Sequence, residues 1–229
     1  MAHHLRPHLE VVVYDCLEVA DLATEVGVRS ASLVEVAASE ILVLAVPVQN
    51  MEEVLVELSA MPKLPELVLD VGSVKVKPLE LMPRYLPEEV EIVGTHPMFG
   101  PQSGRNGIAG LKIVLCPARC SRLDEIRSFL ERKLQLEVLE LTPAQHDAEI
   151  AYVQGLTHWI AKALREINLP DPRLATPAYL HLLKIEEILR EDSPALFRTI
   201  QEMNPFIAQA REELLAKLEE LQGRERSKK

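Results

Sequence analysis

The sequence predicts an α/β protein in two parts, a mostly parallel sheet with its helices followed by an all-helical region. In the first part, short aliphatic segments alternate with segments of helical periodicity, which is typical of βαβ units. From Thr142 onward the periodicity is helical, with no aliphatic strand segment between the helices. The predicted domains are therefore residues 1–141 and residues 142–229.

Each predicted strand is a short aliphatic run bounded by turn residues or by a change of periodicity. Each predicted helix repeats its apolar residues three and four positions apart, and Gly27 ends the first of them. The predicted strands are 9–15, 41–47, 66–70, 91–94, 111–116 and 136–141. The predicted helices are 19–26, 32–39, 50–60, 77–85, 121–134, 143–167, 174–190 and 194–221.

The 229-residue chain is acidic and aliphatic, with a formal net charge of -10, 48% hydrophobic residues and only 4% aromatic residues. The negative charge disfavours nucleic acid and anionic membranes as partners. No apolar run approaches the ~20 residues of a membrane span, and the N-terminus lacks the apolar core of a secretory signal. The three cysteines are an odd, scattered set that indicates reduced thiols. We therefore predict a cytoplasmic protein without a metal site.

The run Leu9–Asp15 predicts a buried parallel strand that ends in an acid, as does the second strand of a Rossmann-like dinucleotide-binding domain. There Asp15 would bind ribose hydroxyls and favour NAD over NADP; the alternative is a simple strand-end acid. The glycine-rich turn G-x-G-x-x-G that opens such a domain is not found in the sequence, so the predicted domain is incomplete. A start downstream of the true one, a truncated remnant, or a partner that completes the sheet would each explain this. Loss of the strand before such a turn predicts a gap or an unpaired edge in the sheet.

Three chemically active side chains follow two neighbouring predicted strands. Ser73 and Lys75 come just after the strand at 66–70, and His96 follows the strand at 91–94. The carboxyl ends of parallel strands share one edge of a sheet, where α/β proteins bind their ligands. An imidazole exchanges protons near neutral pH. The three residues therefore predict a site for proton chemistry on an anionic substrate.

Four motifs carry a family resemblance: Asp70-Val-Gly-Ser-Val-Lys75, Gly94-Thr-His-Pro-Met-Phe-Gly-Pro101, His146-Asp147 and Val153-Gln-Gly-Leu-Thr-His158. In this order and spacing they resemble the prephenate dehydrogenase family, most densely between Ile41 and His158. The segments Ala175-Thr-Pro-Ala-Tyr179 and Ile200-Gln-Glu-Met-Asn-Pro205 are most similar to its archaeal branch.

The resemblance implies NAD-dependent oxidative decarboxylation of prephenate, or of its amino analogue arogenate, in tyrosine biosynthesis. It implies that His96 accepts the proton of the ring hydroxyl, while Ser73 orients this imidazole or reaches the nicotinamide. Lys75 would supply positive charge at the substrate. The residues expected at the cofactor are Asp15, Val46, Pro47, Gly72 and Ser73.

The resemblance also implies that His146, Gln154 and His158 bind the substrate. They are eight and four residues apart, so they share one face of a regular helix over 143–167. The alternatives are that His146 is a surface residue near the helix start and that His158 is a core histidine with one partner.

One position departs from the family pattern. Family members generally carry an arginine that binds a substrate carboxylate in the helix after the Ala-Thr-Pro motif, and an ungapped alignment places Ile188 there. Lys184 would replace that arginine in part, as a point charge without bidentate geometry. Arg105, in the loop after His96, is a second candidate.

The last predicted helix, which carries more apolar residues than a small domain can bury, predicts a homodimer through the C-terminal helices. These residues are Leu196, Ile200, Met203, Ile207, Leu214, Leu215 and Leu218.

Two alternatives to the dehydrogenase remain. A non-catalytic or truncated dimeric module that has lost cofactor binding is favoured by Ile188 and the absent glycine-rich turn. A β-hydroxyacid-type dehydrogenase is disfavoured, because those enzymes use a lysine on the interdomain helix.

Overall fold

The computed structural model describes residues 1–167, 169–170, 172–190 and 192–226. The chain forms two compact units, Met1–Pro143 and Ala144–Lys229. The first unit alternates strands and helices and the second is built from helices, so the predicted fold class is confirmed. Within the described residues, no helix is both long enough and apolar enough to cross a membrane.

The first unit contains two separate sheets with helices between the strands. Its strands are β1 (Val12–Val13), β2 (Arg29–Ser30), β3 (Ile41–Leu44), β4 (Leu67–Asp70), β5 (Glu91–Pro97), β6 (Lys112–Arg119) and β7 (Glu137–Glu140). Its helices are α1 (Ala2–Leu5), α2 (Ala20–Val26), α3 (Leu33–Ala37), α4 (Met51–Ser59), α5 (Val76–Tyr85) and α6 (Leu123–Arg132), with a 3-10 turn over Val48–Asn50.

The larger sheet has the strand order β3-β4-β5-β6-β7, and only the β5–β6 pair is antiparallel. The centre of the sheet is aliphatic on both faces, which is typical of strands covered by helices on both sides. Leu67, Val93 and Leu115 from three of its strands pack in one buried cluster with Leu130 and Leu134, which come from α6 and its C-terminal end. The aliphatic composition thus gives a core that fixes the positions of the strand ends.

Strand β5 is longer than the predicted strand 91–94, so the expectation that His96 follows the strand is wrong. The strand continues through His96 to Pro97, because β6 runs back along it with His96 opposite Val114. The predicted strand at 111–116 likewise extends to Arg119. A register shift between Ile92 and Val93 interrupts the ladder where Pro117, which has no N–H to donate, faces Val93.

The prediction of a buried strand over Leu9–Asp15 is wrong in both length and burial. Only Val12 and Val13 form a strand; both are half-buried, and Leu9 is 43% exposed. β1 pairs in parallel with β2 alone, in a two-stranded sheet apart from the larger one. Strand β1 has a neighbouring strand on one side only, whereas a buried parallel strand has neighbours on both sides.

Two helices of the second unit begin with a side-chain cap. Ser193 and Thr176 each accept a hydrogen bond from a backbone N–H of the first turn, with proline at the first helical position. The segments are α7 (Pro143–Ile150), a π-helical stretch over Ala151–Leu156, α8 (Thr157–Ile167), α9 (Pro177–Leu189), α10 (Pro194–Met203) and α11 (Ile207–Arg226).

Two helix predictions in this unit need correction. The predicted helix 143–167 is continuous but widens into π-helical geometry at Ala151–Leu156, which changes the side-chain spacing along it. The predicted helix 194–221 is broken at Asn204, whose backbone is extended and precedes Pro205. Asn204 joins the pieces, since its side-chain amide donates to the Asp147 carbonyl (2.7 Å) and its oxygen accepts from the Phe206 N–H (2.9 Å).

We expect Asn204→Ala to lower the free energy of unfolding by about 1–3 kcal/mol, because a buried carbonyl and a partly buried N–H would each lose their partner. Gln209→Ala is the matched control, since it removes a side-chain amide that bonds Glu213 on the exposed side of α11. Denaturant titration of both variants measures the difference. Equal losses for the two variants would contradict a structural role for the Asn204 hydrogen bonds.

Candidate functional site

The carboxyl ends of β3, β4 and β5 bring five of the predicted site residues to one edge of the larger sheet. Val46 and Pro47 follow β3, and Gly72 and Ser73 follow β4. Asp70 is paired with Gly94, so His96 lies two residues beyond the last pair of the β4–β5 ladder. This places the three strand ends next to one another, as the sequence predicts for strands that run in parallel.

The turn after β4 is held by a buried ion pair between Lys75 and Asp70. Both side chains are 0% exposed, and the Lys75 ammonium contacts Asp70 Oδ2. The same oxygen accepts the Gly72 N–H at 2.9 Å, and Thr95 Oγ1 donates to the Asp70 carbonyl at 2.6 Å. Burial raises the pKa of the Asp70 carboxyl above its ordinary value, and the Lys75 ammonium opposes that effect. The Lys75 charge therefore faces an internal carboxylate and is shielded from solvent.

Within this turn, Gly72 lies close to two side chains. A Cβ atom at this position would lie 3.0 Å from both Asp70 Oδ2 and Val48 Cγ2. A side chain here would crowd the Asp70 carboxylate and Val48, in the 3-10 turn after β3, so the glycine fits the close packing at this point. Ser73, the next residue, is half-buried.

His96 and Asp15 have contrasting surroundings. His96 is 3% exposed and sits within the antiparallel β5–β6 ladder, so its ring is carried by a rigid strand. Asp15 is exposed and follows β1 in the smaller sheet, where its carboxylate accepts the Leu17 N–H at 2.9 Å. The structure therefore does not place Asp15 in the same sheet as the other predicted cofactor residues.

In the second unit, the three predicted substrate residues are turned towards the interior. His146 is 1% exposed and its Nδ1 lies 2.7 Å from Asp147 Oδ1, so the alternative that it is a surface residue is wrong. His158 is 8% exposed, with Nδ1 at 2.8 Å from the Gln154 carbonyl and Nε2 at 3.0 Å from Asp192 Oδ2. The alternative of a core histidine with a single partner is therefore wrong as well.

Gln154 lies in the π-helical stretch between the two histidines, and its side-chain oxygen is buried without a hydrogen-bond partner. The side-chain oxygen of Gln201 is also buried without a hydrogen-bond partner, while its side-chain amide donates to the Gly155 carbonyl at 2.7 Å. The prediction that the three residues share one helix face assumed a regular helix. The π-helical stretch between His146 and His158 has a wider turn, so the spacing of a regular helix does not apply there. Sequence reasoning missed Asp192 and Gln201, although the Ile200-Gln-Glu motif pointed to the second of them.

The cations expected to replace the family arginine lie on exposed surfaces. The Lys184 ammonium pairs with Glu187 at 3.0 Å and the side chain is 56% exposed. Ile188, on the same helix, is 54% exposed. Arg105 is exposed in the loop after β5.

Comparisons with known proteins identify the family of this chain. The family model described as "Prephenate dehydrogenase, nucleotide-binding domain" matches residues 3–135, more than half of the chain. Arogenate dehydrogenase 1 of Arabidopsis thaliana is 32% identical over 173 residues, which are 72% of this chain and 27% of the relative. A probable arogenate/prephenate dehydrogenase of Methanocaldococcus jannaschii is 27% identical over 193 residues, 80% of this chain and 43% of the relative.

The fold agrees with that of a solved structure, the prephenate dehydrogenase of A. aeolicus in complex with hydroxyphenyl propionate and NAD+. It aligns with a TM-score of 0.76 over 99% of this chain and 87% of that chain, at 22% identity. The present chain spans less than half the length of the two curated relatives described above. By the family model that covers residues 3–135, the chain belongs to the prephenate dehydrogenase family.

Proposed function

We propose that this chain carries the catalytic residues of an NAD-dependent dehydrogenase that oxidatively decarboxylates prephenate or arogenate in tyrosine biosynthesis. The observation that carries the proposal is a buried histidine, His96, on the strand next to the Gly72–Ser73 turn at the carboxyl edge of the sheet. In α/β proteins this edge is where ligands bind. Family membership and the relatives named for arogenate and prephenate support the choice of substrate.

The residues at this edge fit the nicotinamide end of a dinucleotide. Gly72 keeps the turn after β4 free of a side chain, and Val46 and Pro47 offer an apolar border after β3. When bound, the nicotinamide would accept a hydride from the substrate carbon that bears the hydroxyl. We propose NAD rather than NADP, because the acidic Asp15 would repel a ribose phosphate and accept hydrogen bonds from ribose hydroxyls.

His96 has the chemistry to remove the proton from the substrate hydroxyl as the hydride leaves. An imidazole accepts a proton near neutral pH, and a ring fixed on a strand keeps its position through the reaction. Ser73 lies on the neighbouring strand end, where its hydroxyl can orient the imidazole or the nicotinamide. Loss of carbon dioxide then makes the ring aromatic, and the proton held on His96 returns to the ring oxygen to give the phenol.

We assign Lys75 to positioning the turn rather than to contact with substrate. Its ammonium is 0% exposed and already neutralises Asp70. Since Asp70 also accepts the Gly72 N–H, the pair fixes the backbone that presents Ser73. Lys75 therefore acts through Asp70 on the shape of the site.

For the second unit, we propose that His146, Gln154 and His158 bind the substrate. The buried Gln154 oxygen without a partner supports a polar ligand at this place, because buried polar atoms are normally hydrogen-bonded. The histidine rings are already oriented by Asp147 and Asp192. Lys184 is the exposed cation proposed to stand in for the arginine, although its ion pair with Glu187 would have to open.

The non-catalytic alternative has specific support as well. The sequence contains no glycine-rich turn, and Ile188 replaces the expected carboxylate-binding arginine. A module of this kind would keep the fold and a substrate pocket but would not turn over. Measured turnover separates the two proposals.

We further propose that the protein is a cytoplasmic homodimer that associates through α11. Of the predicted apolar residues, Ile200 and Ile207 are buried within the unit, 0% and 3% exposed, and are used by the fold itself. The far end of α11 instead exposes Leu215, Leu218 and Leu221, 45%, 53% and 57%. An exposed apolar stripe at this spacing fits a partner helix.

With prephenate or arogenate and millimolar NAD, we expect the chain to form NADH, followed by its near-ultraviolet absorbance. His96→Asn should lower kcat by about 10²–10⁴, the usual contribution of a general base. His3→Asn, at an exposed histidine in α1, should leave the rate unchanged. Absence of NADH formation by the unmodified chain at saturating NAD and with both substrates would favour the non-catalytic module.

Lys75→Met should lower the free energy of unfolding by about 3–5 kcal/mol, because it leaves a buried carboxylate unpaired. The double variant Asp70→Asn/Lys75→Met should recover a large part of that loss, since no buried charge remains. The control is Lys77→Met in α5, the helix that follows Lys75. Lys77 pairs with Glu80, which is 51% exposed, and loss of this exposed pair should cost below ~1 kcal/mol. Additive effects of the two substitutions in a double-mutant cycle would contradict the coupling of Asp70 and Lys75.

In solution, static light scattering at micromolar concentration should give twice the mass of the chain. Leu218→Glu should shift the mass to that of a monomer, because it places a charge in the apolar stripe of α11. Ala216→Glu on the same helix adds the same charge off the stripe and should leave the dimer intact. A monomeric mass for the unmodified chain would refute the proposed dimer.

A further inference from the structure

The parallel pairing of β4 and β5 ends at Asp70 and Gly94, and the proposed site is built from residues beyond that point. His96 lies two residues further along β5, and Ser73 lies three residues further along the turn after β4. Strand β6 pairs with His96 from the side of β5 that faces away from β4. The distance between the histidine and the turn therefore depends on contacts between the ends of β4 and β5 themselves.

Thr95, which lies between the last paired residue and His96, makes such a contact. Its side chain is buried, 3% exposed, and its hydroxyl donates to the Asp70 carbonyl at 2.6 Å. This bond joins the two strands one residue beyond their last pair. The Asp70 carboxylate in turn accepts the Gly72 N–H at 2.9 Å. Asp70 is therefore bonded both to the strand that carries His96 and to the turn that precedes α5.

Gly94 shows on which face of β5 the histidine lies. A Cβ atom at Gly94 would lie 2.9 Å from Leu79 Cδ1 and 3.1 Å from Lys75 Cδ, so this face of the strand is turned towards the start of α5. Side chains two residues apart in a strand lie on the same face, and adjacent side chains lie on opposite faces. His96 therefore shares the face of Gly94. Thr95 holds the strand from the opposite face and leaves the space around the imidazole free.

The proposed proton transfer depends on the spacing of these two strand ends. A general base must lie within hydrogen-bond reach of the proton that it removes, and a misplacement of about 1 Å can lower a rate by about 10². The nicotinamide is proposed to lie against the turn after β4, whereas the base is carried by β5. A change in the spacing of the strand ends would therefore move the base relative to the reacting carbon.

We propose that Thr95 is a positioning residue of the dehydrogenase site, because its hydroxyl joins the strand end that carries His96 to the turn that carries Ser73. The effect on the reaction rests on the proposed function. The link between the strand ends rests on the hydrogen bond alone.

Thr95→Val removes the hydroxyl from a side chain of nearly the same shape, so it should lower kcat by about 10–10² and leave KM unchanged. Thr95→Ser keeps the hydroxyl and should keep most of the rate. The matched control is Thr199→Val in α10, where a threonine of similar burial, 4% exposed, donates to the Ala195 carbonyl at 3.0 Å. The control loses a hydrogen bond of the same kind and should leave kcat unchanged.

A double variant tests whether Thr95 acts through the base. In the His96→Asn background, Thr95→Val should cause little further loss of kcat, because the side chain that it positions has been replaced. Multiplication of the two losses would show that Thr95 affects the rate by another route and would overturn the positioning role.

Amide hydrogen exchange measures the link without substrate or cofactor. In Thr95→Val the Gly72 amide, which donates to Asp70, should exchange about tenfold faster. The Glu91 amide donates to the Glu66 carbonyl at 2.8 Å at the other end of the same strand pair and should keep its rate. Thr95→Ser should leave both rates unchanged.

The ring of His96 gives a second measurement that needs no turnover. In protein labelled at histidine, the NMR ring signal that is lost in His96→Asn identifies this residue. Thr95→Val should move that signal, while Thr95→Ser and Thr199→Val should leave it in place. If Thr95→Val does not fold by circular dichroism, Thr95→Cys takes its place, because a thiol is only a weak donor.

A chain that forms no NADH but shows these changes in exchange and ring signal would contradict the proposed function and support the link made by Thr95. An unchanged Gly72 exchange rate and an unchanged His96 signal in Thr95→Val would overturn the link. Faster exchange with an unchanged kcat would overturn the positioning role. Equal losses of kcat in Thr95→Ser or in Thr199→Val would overturn it as well, because the hydroxyl of Thr95 would then not be the cause.

Discussion

The ion pair between Lys75 and Asp70 is the interaction on which the candidate site depends. Two opposite charges without solvent exposure hold the carboxyl end of β4, the Gly72 backbone and the start of α5 in one arrangement. A buried ion pair is costly to form, because both charges lose their hydration. Removing one partner lowers the free energy of unfolding more than loss of an exposed ion pair does, because it leaves a buried charge unpaired. Its value is geometric, because it fixes the turn that presents Ser73.

The antiparallel β5–β6 pair supplies the second constraint. By extending β5 past the last residue paired with β4, it carries His96 outward on hydrogen-bonded backbone. A base that is held on a strand needs no reorganisation when the substrate binds. In the helical unit the same purpose is served by carboxylates that orient rings, Asp147 for His146 and Asp192 for His158. In both units, each histidine proposed for the site is held in place by other groups of the chain.

Much of this arrangement could be predicted from local sequence. Aliphatic runs with turn residues located most strands and helices, and the order of strands and motifs predicted which strand ends would meet. What sequence could not show depends on tertiary pairing. The extension of β5 through His96 requires β6 as its partner, and the shortening of β1 to Val12–Val13 reflects a neighbour on one side only. The π-helical stretch around Gln154 and the burial of the Lys75 charge likewise arise from packing, which hydrophobic periodicity does not encode.

The central claim is that the ends of β3, β4 and β5 form the nicotinamide end of a dehydrogenase site. Nicotinamide mononucleotide tests it most directly, because this ligand carries the reactive ring without the pyrophosphate linkage. Titrated into isotopically labelled protein, it should shift the backbone amide NMR signals of Val46, Gly72, Ser73 and His96 together, in a saturable manner. Saturable shifts confined to other residues, or no shifts at millimolar ligand, would contradict the account.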